Sequence, residues 1–375
     1  MNNYKIFIVV NVDWFFLSHR LPVALAAQKA GWDVTIVTAD TGKLKDISNL
    51  GLKMINLPMS RSGMNLFQEL GTLWFLLKLY KRKKPDVVHH VGIKTILWGT
   101  LAAKFASVLG VVNAISGLGG FFEKENDSVM AKIMPSVLRF AHHRDNLLVI
   151  FQNKEDKELY IKNGFINESQ ARFIKGSGID LNEFCYTPEP SEGKIIVLMT
   201  CRIIREKGVF ELTKAAKILR TQCEYKTEFW IVGGLDDHPD AITKEEMDAV
   251  CDGRYIQWLG RRENVKELLQ HCHIFAFPSY YMEGLPKSLI EACAIGRPIV
   301  TTDNIGCRDV VTDGVNGYLV PVKAPTALAE KLRVLIEDKD LRVSMGRASR
   351  NIAEKEFSVD DVIKKHLAIY QELVS

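Results

Sequence analysis

Two glutamates flank a short turn in the second half of the chain. Glu283 precedes Gly-Leu-Pro-Lys, and Glu291 follows eight residues later within Ser-Leu-Ile-Glu-Ala. Pro286 is typical of the first turn of a helix, where its missing N–H costs nothing, so a loop with Glu283 should run into a helix with Glu291. Eight residues of helix span about 12 Å, roughly the distance from the sugar ring to the ribose of a nucleotide diphosphate sugar.

The start of this predicted helix is a candidate anion site. The backbone N–H groups near Lys287 and Ser288 would point out of the helix end, where the helix dipole favours an anion by up to about 2 kcal/mol. A carboxylate accepts from two vicinal hydroxyls at once, so Glu291 suits a ribose and Glu283 a sugar ring. The alternative is that both glutamates face water. The small and apolar neighbours of Glu291 argue against it, because a half-buried carboxylate needs partners.

A cationic group follows another apolar run. Arg202, Arg205 and Lys207 come directly after Ile-Ile-Val-Leu-Met-Thr, at a strand-to-helix turn. Cations aimed at a diphosphate neutralise it as a leaving group, and each charge-assisted hydrogen bond contributes about 1.5–3 kcal/mol. A solvated basic turn is the alternative, and it suits Arg205 better than Arg202, which is nearest the strand end.

The elements that must position these side chains form two similar halves. A chain of 375 residues exceeds the size of a single core. The order of apolar run, loop, helix and apolar run occurs before and after a Pro- and Glu-rich linker at residues 186–194. We predict an α/β protein of two tandem Rossmann-like, doubly wound domains, residues 1–187 and 188–357, facing a central cleft. The loops expected to line that cleft follow Val10, His90, Ile115, Thr200, Gly234 and Ser279.

Composition excludes several classes of protein. A net charge of +4 is too small for the basic footprint of a nucleic-acid-binding protein. The seven cysteines form no CxxC pair, which argues against a disulfide framework or a zinc ribbon and favours a cytoplasmic protein. The chain starts without a signal-peptide pattern, and its apolar runs are shorter than the about 18 residues of a membrane span. If it works at a membrane, it should lie on one.

One segment could contact that membrane. Phe67, Leu70, Trp74 and Leu77 form a stripe at helical spacing that leads into four basic residues, 81–84. Such a stripe most often faces the core. The alternative is a peripheral patch for anionic lipid, where each basic residue contributes about 1 kcal/mol.

These motifs resemble those of retaining glycosyltransferases with the GT-B fold, family 4. The family's Glu-x7-Glu motif corresponds to Glu283 and Glu291, with Arg202 and Lys207 in register, and the resemblance covers nearly the whole chain. The first half, with "SHRLPVALAAQKAGWDVTIVT", resembles bacterial enzymes that extend sugars on polyprenyl diphosphate, particularly α-1,3-N-acetylgalactosaminyltransferases. The resemblance further implies that the C-terminal helix, residues 358–375, packs back on the first domain.

The resemblance also implies roles for individual residues. Glu291 would bind the ribose and Glu283 the donor sugar, while Arg202 and Lys207 would hold the diphosphate. Further donor-binding residues would be Asn11, Gly233, Gly234, Arg261 in a strand edge against the base, Gly284, Leu285, Pro286 and Lys287. The acceptor would meet Ser18 and His19 in the loop Asn11–His19, Arg61 at its diphosphate, and Ser116 and Gly117.

One departure from the family concerns catalysis. Many relatives carry a histidine in the strand-end loop where this chain has Ser116 and Gly117. Either Ser116 or a backbone carbonyl serves instead, or His89 or His90 reaches in from the neighbouring loop, with His90 the preferred candidate. We therefore count Glu283, Arg202, Lys207 and His90 as the predicted catalytic residues.

The implied function is transfer with retention of configuration. The donor would be a UDP-sugar carrying a hexose or N-acetylhexosamine, and the acceptor a polyprenyl-diphosphate-linked saccharide in surface polysaccharide or glycan assembly. We expect no metal or other cofactor, no nucleic-acid partner, and a peripheral position on the inner face of the cytoplasmic membrane. The alternatives are a UDP-sugar 2-epimerase of the same fold and a non-catalytic nucleotide-sugar-binding protein.

Overall fold

The structure is a computed structural model, and it describes residues 4–59, 66–118, 129–223, 226–236, 238 and 240–375. The chain divides into two compact units, of which the first comprises residues 1–177 and 359–375 and the second residues 178–358. The division falls ten residues before the predicted boundary at 187. The reason is that the linker and the segment before it bond to the second unit: Ile179 N donates to Phe357 O at 2.8 Å, and Thr187 N donates to Ile295 O at 3.1 Å.

The first unit is built on a seven-stranded parallel sheet with the order β3-β2-β1-β4-β5-β6-β7. Apolar clusters cover both faces of the sheet, which explains why its central strands are almost continuously apolar. Its elements are β1 (Lys5–Val12), α1 (Asp13–His19), α2 (Leu21–Lys29), β2 (Asp33–Ala39), α3 (Leu44–Asn49), β3 (Lys53–Asn56), α4 (Leu66–Lys83), β4 (Val87–Val91), α5 (Ile93–Phe105), β5 (Gly110–Ala114), α6 (Val129–His142), β6 (Leu147–Phe151), α7 (Lys154–Lys162) and β7 (Ala171–Phe173).

The second unit has a six-stranded parallel sheet with the order β10-β9-β8-β11-β12-β13. One apolar cluster runs through the whole unit. Its elements are β8 (Ile195–Thr200), α8 (Val209–Cys223), β9 (Thr227–Val232), α9 (Lys244–Val250), β10 (Ile256–Trp258), α10 (Val265–His271), β11 (Ile274–Phe277), α11 (Lys287–Ile295), β12 (Ile299–Thr302), β13 (Gly317–Val320), α12 (Pro325–Glu337) and α13 (Lys339–Glu356). The last helix of the chain, α14 (Val359–Glu372), belongs to the first unit.

The prediction of a loop over Asn11–His19 is wrong. Strand β1 continues to Val12, and helix α1 begins at Asp13. The carboxylate of Asp13 is fully buried and accepts hydrogen bonds from Thr41 N at 2.8 Å and Lys43 N at 2.9 Å. An acid in the first turn complements the helix dipole, so the buried Asp13 fixes the start of this helix.

Candidate active site

The second sheet changes direction between β8 and β11. The chain moves from β8 outward through β9 to β10, and then returns to place β11 on the other side of β8. In open α/β sheets ligands bind at such a switch point, beyond the carboxyl ends of the strands. Arg202 and Lys207 follow β8, and Glu283 follows β11, so the sequence-predicted cations and acid meet at this point.

Lys207 and Glu283 form an ion pair there. Their side chains are only 9% and 14% exposed, so the contact is largely shielded from water. The Lys207 ammonium also contacts two aromatic rings, 5.6 Å from the ring centre of Phe277 and 4.8 Å from that of Tyr281. Such cation–π contacts contribute about 0.5–2 kcal/mol each and fix the direction of the lysine.

A glycine brings the two loops together. Lys207 ends a 3₁₀ turn, Arg205–Lys207, and Gly208 follows it with φ +83°. A Cβ at Gly208 would lie 2.1 Å from Pro278 O, so only glycine permits this approach. The carbonyl of Glu206 then accepts from Tyr280 N at 2.8 Å and Tyr281 N at 3.1 Å, which ties the loop of Glu283 to the turn of Lys207.

Helix α11 begins one residue later than the sequence predicted. Pro286 is its N-cap rather than part of the first turn, with φ −63° and ψ 119°. Leu289 N and Ile290 N donate to Pro286 O at 3.1 and 3.3 Å, and the amides that precede them have no acceptor inside the helix. The segment before the cap is closely packed: Leu285 is buried, and a Cβ at Gly306 would lie 2.5 Å from Gly284 O.

Glu291 lies inside α11 and is half-buried. Its carboxylate is 3.8 Å from Lys287 Nζ, one turn earlier. Burial raises the pKa of Glu291, the charge of Lys287 lowers it, and the charge of Glu183 adds to the increase. The sequence interpretation of Glu291 as a partly buried acid that needs partners agrees with this environment.

Arg202 and Arg205 point to different acids. Arg202 NH1 lies 3.4 Å from Asp236, which is 8% exposed and follows β9, whereas Arg205 pairs at 2.5 Å with Glu246 on α9. Arg202 thus stays at the switch point, and Arg205 is drawn to the side of the unit. The sequence analysis missed Asp236; the signal available was an acid two residues after the Gly-Gly that follows β9.

The glycines after β9 act through packing inside the protein. A Cβ at Gly233 would lie 1.8 Å from Cys201 O, so Gly233 lets the ends of β8 and β9 approach. Gly234 faces the side chain of Arg261, where a Cβ would lie 3.5 Å from the Arg261 Cβ. Arg261 is exposed and belongs to the loop between β10 and α10, so the predicted strand edge at residues 261–265 is wrong.

A further loop was not anticipated from the sequence. Asn304, after β12, donates from Nδ2 to Tyr281 O at 2.8 Å. Gly306, in the same loop, has φ +79° and packs against the backbone of Glu283 and Gly284. This loop is a second support, besides the turn of Lys207, for the segment that carries Glu283. Its sequence signal, a glycine between polar residues, is too common to be recognised alone.

In the first unit, the predicted residues lie near the end of β1, in the helix that follows it, and after β5. Asn11 lies in an irregularity of β1, where its Oδ1 accepts from Val12 N at 3.0 Å. Ser18 and His19 end α1; their side chains are 2.5 Å apart, and the His19 ring stacks on Phe15. Ser116 and Gly117 come after β5, with Gly117 at φ +104°. The predicted acceptor residue Arg61 lies outside the described residues.

The prediction that His90 or His89 assists at the donor sugar is wrong. Both are fully buried within β4. His90 Nε2 bonds to Tyr80 OH at 3.0 Å and its Nδ1 to Asn113 Oδ1 at 2.9 Å, so both nitrogens are occupied inside the core. His89 points to the other face of the sheet, where Nδ1 bonds to Tyr370 OH of α14 at 2.7 Å.

Two family models match the chain, one over each unit. The model for "Glycosyl transferase 4-like" matches residues 5–153, and that for "Glycosyl transferases group 1" matches residues 187–352. The chain belongs to glycosyltransferase family 4. This glycosyltransferase has the GT-B fold, with the two Rossmann-like sheets that the sequence predicted.

Relatives of the glycosyltransferase share most of its length. It is 29% identical to the N,N'-diacetylbacillosaminyl-diphospho-undecaprenol α-1,3-N-acetylgalactosaminyltransferase of Campylobacter jejuni, over 96% of this chain and 98% of that one. It is 24% identical to the UDP-Gal:α-D-GlcNAc-diphosphoundecaprenol α-1,3-galactosyltransferase of Escherichia coli, over 92% and 90%. These relatives favour transfer over the two alternatives, an epimerase and a non-catalytic binding protein.

Solved structures agree on the fold. A glycosyltransferase from Rickettsia africae aligns with a TM-score of 0.78 at 19% identity, covering 100% of both chains. Anabaena HepE in complex with UDP-glucose aligns with a TM-score of 0.77 at 18% identity, covering 99% of both chains. Among the residues that the structure describes, no helix combines the length and the apolar character that crossing a membrane requires.

Proposed function

We propose that this glycosyltransferase moves a hexose or N-acetylhexosamine from a UDP-sugar to a polyprenyl-diphosphate-linked saccharide, with retention of configuration and without a metal. The proposal is supported by the substrates that the names of its relatives carry. The observation that carries it is the convergence of Arg202, Lys207 and Glu283 at the switch point of the second sheet, beside the start of α11.

The donor would lie across the carboxyl ends of β8 and β11. Arg202, Lys207 and the first amides of α11 would hold the diphosphate, and Glu291 would accept from the ribose hydroxyls. Glu283 would contact the sugar together with the backbone from Gly284 to Lys287. The half-buried position of Glu291 suits this role, because a carboxylate partly shielded from water gains more from each hydroxyl that it binds.

The reaction would take place on one face of the sugar. The bond between the anomeric carbon and the diphosphate oxygen breaks, and the acceptor hydroxyl forms a new bond to that carbon from the same side. Its proton passes to the departing diphosphate, so UDP leaves as the second product. The residues then have to stabilise a cationic sugar ring and the leaving diphosphate by charge and position. Arg202 and Lys207 suit the diphosphate, and the carboxylate of Glu283 suits the ring.

The decisive experiment offers labelled UDP-sugars to the purified protein with a bacterial membrane lipid extract. Labelled lipid is the expected product. An epimerised nucleotide sugar with no labelled lipid would instead mean an epimerase, and recovery of the unchanged donor would mean a binding protein. Adding a chelator should leave the rate unchanged, whereas a rate that falls with chelator and returns with a divalent metal would refute metal-independent transfer.

The ribose role of Glu291 is tested by binding. Glu291→Ala should abolish UDP binding in calorimetry, because the carboxylate that accepts from the diol is lost. Glu354→Ala, at an exposed acid of the same unit that pairs with Arg350 on its own helix, is the matched control and should bind UDP as the wild type does. Retained affinity in Glu291→Ala would remove this assignment.

A membrane-bound acceptor requires a surface that meets the lipid, and α4 provides a candidate. The predicted core-facing stripe is wrong for two of its members: Leu70 is 47% exposed and Trp74 58% exposed, while Leu76 and Leu79 fill the core instead. Lys78 Nζ lies 5.1 Å from the Trp74 ring, and basic residues occupy the last turn of the helix. We include in the proposal that α4 lies on the anionic inner face of the cytoplasmic membrane.

Vesicle flotation tests this part separately. The protein should float with vesicles that contain phosphatidylglycerol and remain behind with neutral ones. The double change Leu70→Ser and Trp74→Ser should weaken flotation. Phe173→Ser, at another exposed apolar residue of the same unit, should not. Equal flotation of both variants would exclude α4 as the contact surface.

A further inference from the structure

Tyr281 touches both cations of the candidate site. Its ring centre lies 4.8 Å from Lys207 Nζ, and its hydroxyl interacts with the side chain of Arg202, which lowers the pKa of Tyr281 against the effect of burial. The two cations reach the switch point from the same turn, and Tyr281 comes from the facing loop after β11. One side chain thus sets the position of one cation through its ring and of the other through its hydroxyl.

The backbone of Tyr281 is hydrogen-bonded at both its N–H and its carbonyl. Its N–H donates to Glu206 O at 3.1 Å and to Ser279 Oγ at 3.2 Å, and its carbonyl accepts from Asn304 Nδ2 at 2.8 Å. The ring is half-buried. A side chain on so constrained a backbone has little freedom, which is what positioning two flexible cations requires.

The tyrosine also differs from the acidic partners of these cations. Asp236 and Glu283 bind Arg202 and Lys207 as carboxylates, and their negative charges oppose an incoming diphosphate. Burial raises the pKa of Tyr281, so its hydroxyl remains neutral at physiological pH. Tyr281 therefore orients the cations at no electrostatic cost to the ligand.

We propose that Tyr281 is a positioning residue that directs Arg202 and Lys207 together toward the diphosphate of the nucleotide sugar. The inference rests on the proposed function, because it takes the ligand to be a UDP-sugar. It assigns a role to a residue outside the paired glutamates and the basic turn, and it predicts that the role concerns the diphosphate rather than the nucleoside.

Calorimetry with UDP, and competition with uridine, separates these parts of the ligand. Tyr281→Phe removes the hydroxyl and keeps the ring, so UDP should bind about five-fold more weakly. Tyr281→Leu removes both contacts and should weaken the binding of UDP by about thirty-fold. Uridine affinity should remain unchanged in both variants. Tyr280→Phe is the matched control, since the Tyr280 ring faces Lys323 at 4.5 Å instead, and it should bind like the wild type.

The outcomes distinguish this inference from the proposed function. If the wild type binds UDP and both Tyr281 variants bind it equally well, the positioning role is refuted. If the variants lose affinity for UDP and for uridine in the same proportion, Tyr281 only supports the fold, and the positioning role is again refuted. If the wild type itself binds no UDP, the proposed function fails and the inference with it.

Discussion

Acid should unfold the first unit well before the second. The first unit buries four histidines: His89, His90, His142 and His366. Burial lowers the pKa of His90 from 6.5 to about 4, and those of His142 and His366 to about 3. These side chains are neutral in the folded state and take up protons readily once the chain unfolds.

The sign and size of the effect follow from these values. Because each folded pKa is depressed, the stabilisation is complete above the unfolded value of 6.5 and is lost as the pH falls from there toward the folded value. At pH 5, protonation on unfolding of His90, His142 and His366 lowers the free energy of unfolding by about 2 kcal/mol each, and by about 6 kcal/mol together. A domain's whole stability is about 5–15 kcal/mol. In the second unit, burial lowers the pKa of His273 to about 4, so the corresponding loss there is about 2 kcal/mol.

Hydrogen exchange read by mass spectrometry at pH 7 and pH 5 measures the two units separately. Opening free energies, after correction for the intrinsic exchange rates, should fall in β4 and β5 by several kcal/mol and change much less in β8 and β11. At pH 5 ordinary carboxylates are still largely ionised, so the change reports mainly on histidine.

His142→Gln tests the cause. His142 Nε2 accepts from Asn113 Nδ2 at 2.9 Å, and a glutamine oxygen accepts in the same way but does not titrate. Between pH 7 and pH 5, the opening free energy of the first unit should fall by about 2 kcal/mol less in this variant than in the wild type. The neighbouring His143 is exposed, so His143→Gln should leave the loss unchanged. Equal losses in both units, or an unchanged loss in His142→Gln, would refute the reasoning.

Three further changes test particular contacts. Gly208→Ala places a Cβ 2.1 Å from Pro278 O. It should lower the free energy of unfolding by about 2 kcal/mol more than Gly193→Ala, because Gly193 has a similar φ of +91° but open space around it. Equal shifts of the melting temperature would contradict the contact. Asp236→Asn removes the carboxylate that competes for Arg202, so UDP should bind about five-fold more tightly in calorimetry, and weaker binding would show that Asp236 aids the ligand. Glu189→Gln breaks a bidentate pair with the buried Arg342, with contacts of 2.9 and 3.0 Å, and should lower the free energy of urea unfolding by about 3 kcal/mol. Glu354→Gln, in a pair whose acid is 50% exposed, should lower it by under about 0.5 kcal/mol. Similar losses for both variants would argue against a buried pair.

The parallel sheets could be predicted because their strands are short, continuously apolar runs between helices. The same pattern locates the candidate site, since chain order alone places the turn of Lys207 and the loop of Glu283 at strand ends. Helix α1 could not be predicted in this way. Its start depends on bonds from Asp13 to Thr41 and Lys43, which are 28 and 30 residues away, and local sequence does not contain that information.

The histidines of β4 show where the reasoning from type and spacing failed. Successive side chains of a strand point to opposite faces, so His89 and His90 could not both reach one ligand. What decides their role is distant in sequence: His90 bonds to Asn113 of β5, and His89 bonds to Tyr370, 281 residues along the chain. Asp236 was missed for a similar reason, since its partner Arg202 is 34 residues away.

The position of α14 has a consequence for biosynthesis. Residues 178–358 form one uninterrupted stretch, so the second unit has all its residues once Ser358 is made. The first unit still lacks Ile369, Tyr370 and Leu373, which complete one of its apolar clusters. The amino-terminal half therefore cannot complete this cluster until residues 359–375 have been made, so the half that is synthesised first is finished last.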